Sequence, residues 1–368
     1  MSENKSLTIE EIFNLAVQNN QNNNLQDAQN YYQKVLKIEP NYIAALNNLG
    51  AIFQKLGENQ KAQNYYEKAI KINPNYADAH NNLGVIFKDL KDYQRAKVCY
   101  EKAIAINPNY IAALNNLGAI FHKLGEEQKA KNCYEKVIAI NPNHAPAYNN
   151  IGAIFHKLGE EQKAKECYEK AIEINPNYTQ ALNNLGAIFE GLGENQKAKE
   201  CYEKAIKINP NHAYAHNNLG VIFKELGEFQ KAKDCYEKAI EINPNYADAY
   251  NNLGVILQEL GENQKAKDCY EKAIEINPNY ADAYNNLGII FKELGENQKA
   301  KDCYEKAIEI NPNHPYALNN LLKSLYHLNN QSILSKKLDS ITKEGKINAA
   351  IGSIFSRAKV KYGFKKEN

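Results

Sequence analysis

The chain has 368 residues, 24% of them charged and 43% apolar, with seven cysteines and a net charge of +2. So even a balance lacks the basic stripe of a dedicated nucleic-acid binder. No window approaches 18 consecutive apolar residues, which speaks against a membrane-spanning helix, and the opening MSENKSLTIE lacks the apolar core of a secretory signal. Residues 1–8 read as a loose tail. Thr8 with Glu11 makes a capping box that opens a helix through Ile12, Leu15 and Ala16. The polar run Asn19–Asn24 reads as a loop. Leu25 to Ile38 forms a second helix, with Ala28, Tyr32, Val35 and Pro40 in the register of the later repeats. Residues 9–42 are thus a degenerate first repeat, because from Ile43 to His314 one pattern of 34 residues recurs eight times, starting at Ile43, Ala77, Ile111, Ala145, Thr179, Ala213, Ala247 and Ala281. A fixed period of this size means one supersecondary unit stacked on copies of itself.

Ala281–His314 shows the unit best. Numbered 1 to 34, it places Tyr284, Leu287, Gly288, Phe291 and Leu294 at positions 4, 7, 8, 11 and 14, the spacing of one apolar helix face. Leu294-Gly295 ends this helix, since glycine accepts the left-handed conformation. Glu296 puts negative charge at the start of a second helix, which turns Ala300, Tyr304, Ala307 and Ile308 inward and stops at Asn311-Pro312. Ala300 and Ala307 let helices approach, and Tyr304 is expected to fill the gap between repeats. In the preceding turn, Asn279 is expected to cap the next helix, with Asp282 near its positive end.

Variations between repeats carry less. Lys91 replaces the usual inter-helix glycine. Glu166–Lys170, Glu200–Lys204, Asp234–Lys238, Asp268–Lys272 and Asp302–Lys306 are expected to pair on the solvated face, each for about 0.2–0.5 kcal/mol. Cys99, Cys133, Cys167, Cys201, Cys235, Cys269 and Cys303 all occupy position 23. Neighbouring helices pack roughly 8–10 Å apart, while a disulfide needs Cα atoms within roughly 7 Å. The column therefore reads as small packing residues in a reducing, cytoplasmic compartment. Beyond Pro312, residues 315–346 read as a degenerate repeat, with one helix from Pro315 to Leu328 and a poor partner from Ile333 to Ile341. Residues 347–368 read as a capping helix and basic tail, Arg357, Lys359, Lys361, Lys365 and Lys366 being cations at a helix C-terminus.

Tyr284, Leu287-Gly288, Phe291, Ala300, Tyr304 and Pro312, at positions 4, 7–8, 11, 20, 24 and 32, resemble the tetratricopeptide repeat. That resemblance implies an all-α fold: an α-solenoid, a right-handed superhelix of stacked helix-turn-helix units. It also implies that positions 2, 5, 6, 9, 12 and 13 of each first helix line a concave groove.

Two features stand on that side. One is an asparagine column at position 6: Asn48, Asn82, Asn116, Asn150, Asn184, Asn218, Asn252 and Asn286, with Asn14 and Asn320 beyond the regular repeats. A carboxamide both donates and accepts, so a ladder of them could hold an extended peptide by its backbone. The array resembles the asparagine-lined superhelix of O-GlcNAc transferase. The same amides could instead bond a neighbouring repeat, and position 5 (Asn47, Asn81 and onward) offers a second column. The other feature is a charge gradient. Lys55, Lys88, Lys123 and Lys157 outnumber Asp78 and Asp89 in residues 43–178, whereas Glu190, Glu225, Asp248, Glu259, Asp282 and Glu293 outnumber Lys224 and Lys292 in residues 179–314. A ligand would then lie with acidic residues toward the early repeats and basic ones toward the late repeats.

His122 and His156 share position 12 but are too far apart and too few for a metal site. No cofactor is expected and no catalytic constellation appears; a nucleotide-sugar domain would not fit in the residues after Pro315. The family's carboxylate clamp wants Lys and Asn at positions 2 and 9, where this chain has Ala44, Asp78, Ala112 and Ala51, Val85, Ala119. The reading is a non-enzymatic scaffold or adaptor that holds a protein or peptide segment in its groove, without nucleic acid or membrane. The alternative is a structural subunit docking through its convex face and C-terminal cap.

Overall fold

The ends of the helices in this chain have causes that recur 34 residues later. The computed structural model describes residues 7–327, 332–336, 354, 356–358 and 361, and among them regular structure is helical throughout. The chain divides into two compact units, Met1–Ala181 and Leu182–Asn368. In the first, helices Ile9–Gln21, Ile43–Lys55, Ala77–Asp89, Ile111–Lys123 and Ala145–Lys157 alternate with Leu25–Ile38, Asn59–Ile72, Tyr93–Ile106, Glu127–Ile140 and Glu161–Ile174. Thr179–Gly191 spans the boundary. The second continues with Asn195–Ile208, Ala213–Glu225, Phe229–Ile242, Ala247–Glu259, Asn263–Ile276, Ala281–Glu293, Asn297–Ile310 and Ala317–His327. Within each unit a helix packs on its sequence neighbours, so each unit is an α-solenoid.

The first helix of a repeat closes in a Schellman turn. Gly295, at φ +78°, donates to the Lys292 carbonyl and Glu296 to that of Phe291, at 3.1 and 2.8 Å. Lys91 adopts the same left-handed conformation without being glycine, at φ +61°. The second helix stops at Asn311, whose side chain accepts from the Asn313 amide at 3.1 Å, a turn that Pro312 favours. The next first helix is capped at position 34 rather than position 33. Tyr280, not the expected Asn279, precedes it and lends no side chain, whereas His144 and His212 accept the Ala147 and Ala215 amides through Nδ1 at 3.2 Å. Thr8 and Glu11 do form the capping box.

Tyr304 packs inside its own repeat. A Cβ on Gly288 would lie 2.6 Å from its ring, so glycine there is the notch that admits the tyrosine. Position 24 is the largest fully buried side chain through most of the repeats, and at Tyr32 its hydroxyl meets the position-6 amide of the following repeat. Leu294 is not part of the apolar face: the position-14 leucines Leu56, Leu90, Leu158, Leu192, Leu226, Leu260 and Leu294 are 40–55% exposed, because the helix has already ended there. The helix Ile9–Gln21 takes in Asn19, Asn20 and Gln21, which leaves only Asn22–Asn24 as turn.

The outer face pairs differently from the expectation. Lys170, Lys238, Lys272 and Lys306 turn to Glu173, Glu241, Glu275 and Glu309 at 2.9–3.0 Å. Glu166, Asp234, Asp268 and Asp302 accept from the glutamine four residues before them. Exposed pairs are worth so little that either partner choice is open to a lysine. The position-23 cysteines are buried or half-buried, and burial pushes the thiols of Cys99, Cys133 and Cys303 up to about 11. Of the residues after 314, the helix Ala317–His327 is described. Most of the segment expected at Ile333–Ile341, and of the capping helix and tail at 347–368, lies outside the described residues.

Candidate functional site

Positions 5 and 6 of the first helix carry consecutive asparagines, and the stacking sets their amides between repeats. Position 5 is buried: Asn47, Asn81, Asn149, Asn183, Asn217, Asn251 and Asn285 are 4–7% exposed. Position 6 is half-exposed at Asn48, Asn82, Asn116, Asn150, Asn184, Asn218, Asn252 and Asn286. The amides form a zigzag. Asn47 Nδ2 donates to Asn48 Oδ1 in its own repeat at 3.3 Å, and Asn82 Nδ2 of the next repeat donates back to Asn47 Oδ1 at 3.0 Å. The second unit repeats this through Asn218 to Asn183, Asn252 to Asn217, Asn286 to Asn251 and Asn320 to Asn285, at 3.0–3.2 Å. Each such position-6 amide spends one hydrogen on a neighbouring amide, Asn218 also bonds the Tyr202 hydroxyl, and a carboxamide carries two hydrogens and two lone pairs.

The zigzag breaks once in the first unit, at Asn115. Its amide lies 3.3 Å from His144 Nε2, and its oxygen is buried without a partner. His144 Nδ1 already accepts a backbone N–H, so the neutral ring carries its proton on Nε2 and needs an acceptor. The amide is therefore better placed with Oδ1 toward the imidazole, since carboxamide orientation is assigned from the hydrogen-bond network. Asn150 bonds the Tyr134 hydroxyl, and the ladder is interrupted between these repeats.

The charges expected on this face are mostly engaged by the protein itself. At position 13, Lys157 pairs with Glu127 at 2.6 Å, and Glu225 and Glu293 accept from Asn195 and Asn263 at 2.9 and 3.2 Å. Those partners sit at position 17, the start of the preceding repeat's second helix, and their type matches the charge they meet. The signal for it is present in the sequence as paired residue types 30 apart, and it is missed when each helix is read by itself. Glu127 also takes His122 Nδ1 at 2.6 Å, and Lys157 with His122 holds its carboxyl below the usual range despite desolvation. At position 2, Asp282 accepts from His314 Nε2 at 3.0 Å, Asp78 accepts from the Tyr110 hydroxyl at 2.7 Å, and Asp248 bonds the Tyr280 hydroxyl. Lys55 reaches Asn20 Oδ1 at 3.2 Å, and Lys88 stands 4.0 Å from Asp89. Lys123 and Glu259 are exposed.

Position 12 carries more than the charge expected of it, because it also meets the buried tyrosine. Tyr66 donates to Gln54 at 3.0 Å, Tyr202 to Glu190 at 2.8 Å and Tyr270 to Gln258 at 3.2 Å. Glu190 is held above the usual carboxyl range by burial, in spite of the hydroxyl it accepts. On the other side, Asn48 of the following repeat donates to Tyr32 at 3.2 Å. Among the described residues no group of three or more His, Cys, Asp or Glu is placed to hold a metal ion, and no helix is long and apolar enough to cross a membrane.

Known proteins share this architecture. Tetratricopeptide repeat profiles match residues 13–42, the six successive 34-residue windows from 43 to 246, residues 245–313 and residues 303–337. Among solved structures, a tetratricopeptide repeat protein from Parabacteroides merdae shares 21% identity, with 68% of this chain and 98% of that one covered and a TM-score of 0.56. The Pseudomonas aeruginosa pilF structure shares 20% identity, covering 56% of this chain and 94% of that one with a TM-score of 0.50. Both are likenesses of fold. No curated protein sequence matches.

Proposed function

This chain belongs to the tetratricopeptide repeat family, and on that premise we propose that it is a non-catalytic interaction scaffold whose first-helix face, the concave groove of the family, holds an extended or short helical segment of a partner protein. The observation that carries this reading is the half-exposed row at position 6 within each unit, Asn48, Asn82, Asn116 and Asn150 in the first and Asn184, Asn218, Asn252 and Asn286 in the second. The ladder uses one hydrogen of an amide such as Asn252, so a donor and a lone pair remain for the backbone of a bound strand. Main-chain capture of this kind is tolerant of sequence. The charges at positions 2, 12 and 13 then orient the segment, with its acidic end toward the early repeats.

The test is a peptide selection. A phage-displayed random library is panned against the full chain and against the Asn150→Ala, Asn184→Ala, Asn218→Ala variant, with helicity followed by circular dichroism. Retention should fall at least about tenfold while the 222 nm signal is kept. Equal retention by a folded triple variant would remove the asparagine row from the reading.

One observation favours a second reading, a structural subunit that docks by its outer edge. The position-14 leucines make an exposed apolar row at the inter-helix turns, Leu56, Leu90 and Leu158 in the first unit and Leu192, Leu226, Leu260 and Leu294 in the second. Selected peptides that survive the asparagine changes but are lost on Leu226→Ser and Leu260→Ser would favour that edge.

A further inference from the structure

At positions 12 and 24 the repeats serve as controls for one another. Where position 12 is Gln54, Glu190 or Gln258, the tyrosine hydroxyl of the same repeat has an acceptor. Where it is Lys88, Lys224 or Lys292, the hydroxyls of Tyr100, Tyr236 and Tyr304 are buried and have no hydrogen-bond partner. An ammonium has hydrogens to give and no lone pair to offer, so position 12 gives the phenol proton no acceptor in these repeats. A buried hydroxyl left in this state is rare and costly in a folded protein, so each instance asks for an explanation.

The three sites differ in their surroundings. Lys224 and Lys292 are followed at position 13 by Glu225 and Glu293, and Glu259 lies on the repeat between them. Lys88 is followed by Asp89, but position 13 of the repeats on either side is Lys55 and Lys123. The Tyr100 site, with Asp89 beside it as the other two have glutamates, is the one of the three whose neighbouring repeats both carry a lysine at position 13.

Taking the peptide-holding face as premise, we propose that Lys88 and Tyr100 together receive one carboxylate side chain of the bound segment, the ammonium and the hydroxyl being its two donors. Glu190 shows the group that fits. It occupies the same position of its own repeat, and its carboxylate oxygen lies 2.8 Å from the Tyr202 hydroxyl. Lys88 is half-exposed on a flexible four-carbon stem, so the ammonium swings outward to meet the incoming acid while the hydroxyl turns to it from below. A backbone carbonyl could satisfy the hydroxyl, but the ammonium selects the charged acceptor, because hydrogen bonds between ionised partners are about twice as strong as neutral ones. Lys224, which acts on Glu190, and Lys292 lack lysines at position 13 of the repeats on either side and do not gather an anion.

The same peptide selection tests this site apart from the groove itself. Peptides enriched on the full chain should share an Asp or Glu at one fixed place. Lys88→Gln, which supplies an internal acceptor to Tyr100, should lower that acid preference about tenfold and raise the melting temperature. Tyr100→Phe removes only an unpartnered oxygen, so it should keep the fold and also weaken the preference. Lys224→Gln should leave the preference unchanged. Acid enrichment that survives Lys88→Gln, or that falls equally with Lys224→Gln, overturns the site while peptide capture stands. A wild-type chain that selects no peptide overturns the groove reading, and this site with it.

Discussion

Lys224 and Gln258 hold the same place in adjacent repeats, and one atom type separates their consequences. The Gln258 side-chain oxygen accepts from Tyr270, whereas the Tyr236 hydroxyl beside Lys224 is buried without a partner. A buried polar group that gains a hydrogen bond contributes about 1 kcal/mol. Lys224→Gln and Lys292→Gln should each raise the urea midpoint by that equivalent, and Gln258→Lys should lower it. If the three changes have no effect on the midpoint, the hydroxyls find partners by rearrangement. The tyrosine column itself is plain in the sequence. Its dependence on position 12 is not, because positions 12 and 24 lie on different helices and meet only once those helices cross.

At the scale of the helix, the ends decide more than the middles. Gly227 takes φ +73°, but Lys91 occupies the same turn at +61° with a Cβ. The left-handed conformation costs an ordinary residue roughly 1–2 kcal/mol, part of which glycine gives back in unfolded-chain entropy. Lys91→Gly should therefore stabilise by about 0.5–1 kcal/mol in denaturant, and a loss of stability would mean the lysine side chain contributes more than the strain removes.

Helix starts carry a pH dependence. His144 and His212 cap through Nδ1, which must be unprotonated, and burial lowers the proton affinity of both rings below the ordinary 6.5. As pH falls below about 6.5 the unfolded chain takes up protons that the folded caps refuse. Their contribution is complete above that pH and is lost as pH falls toward and through the lowered values. The melting temperature should drop between about pH 7.5 and 5, and His144→Tyr with His212→Tyr, which copies the residue at Tyr110 and Tyr178, should flatten part of that slope. An unchanged slope in the double variant would place the acid sensitivity elsewhere. That position 34 caps at all is hidden from the sequence, since asparagine at position 33 is the better capper by type and histidine acts only when its ring nitrogen is aimed.

At the scale of the whole molecule, each repeat within a unit meets its sequence neighbours and little else, and the junctions are chemically alike. Excision of residues 247–280 should let Asn286 donate to Asn217 as Asn252 does now, and bring Ala281 after Tyr246 as it now follows Tyr280. In such a one-dimensional array, stability is a sum of repeats and interfaces. The shortened chain should keep its ellipticity per residue and melt as one transition a little lower. Excision of residues 247–263, half a period, should abolish cooperative melting because the second helices of two repeats would then be consecutive. Cooperative melting after the half-period deletion would contradict the nearest-neighbour account.

The letters alone determined the repeat length, the two helices of each unit, the glycine that ends the first and the Asn-Pro that ends the second. Those depend on backbone conformation and on a period, and both are written locally. The letters also supplied the asparagine column. Tertiary structure alone decided which of its amides are buried, that they bond in a zigzag, and that three tyrosine hydroxyls have no acceptor. These are contacts between residues well separated in sequence. They come into being only when one helix is laid on the next, and a single side chain gives no sign of the partner that stacking will bring to it.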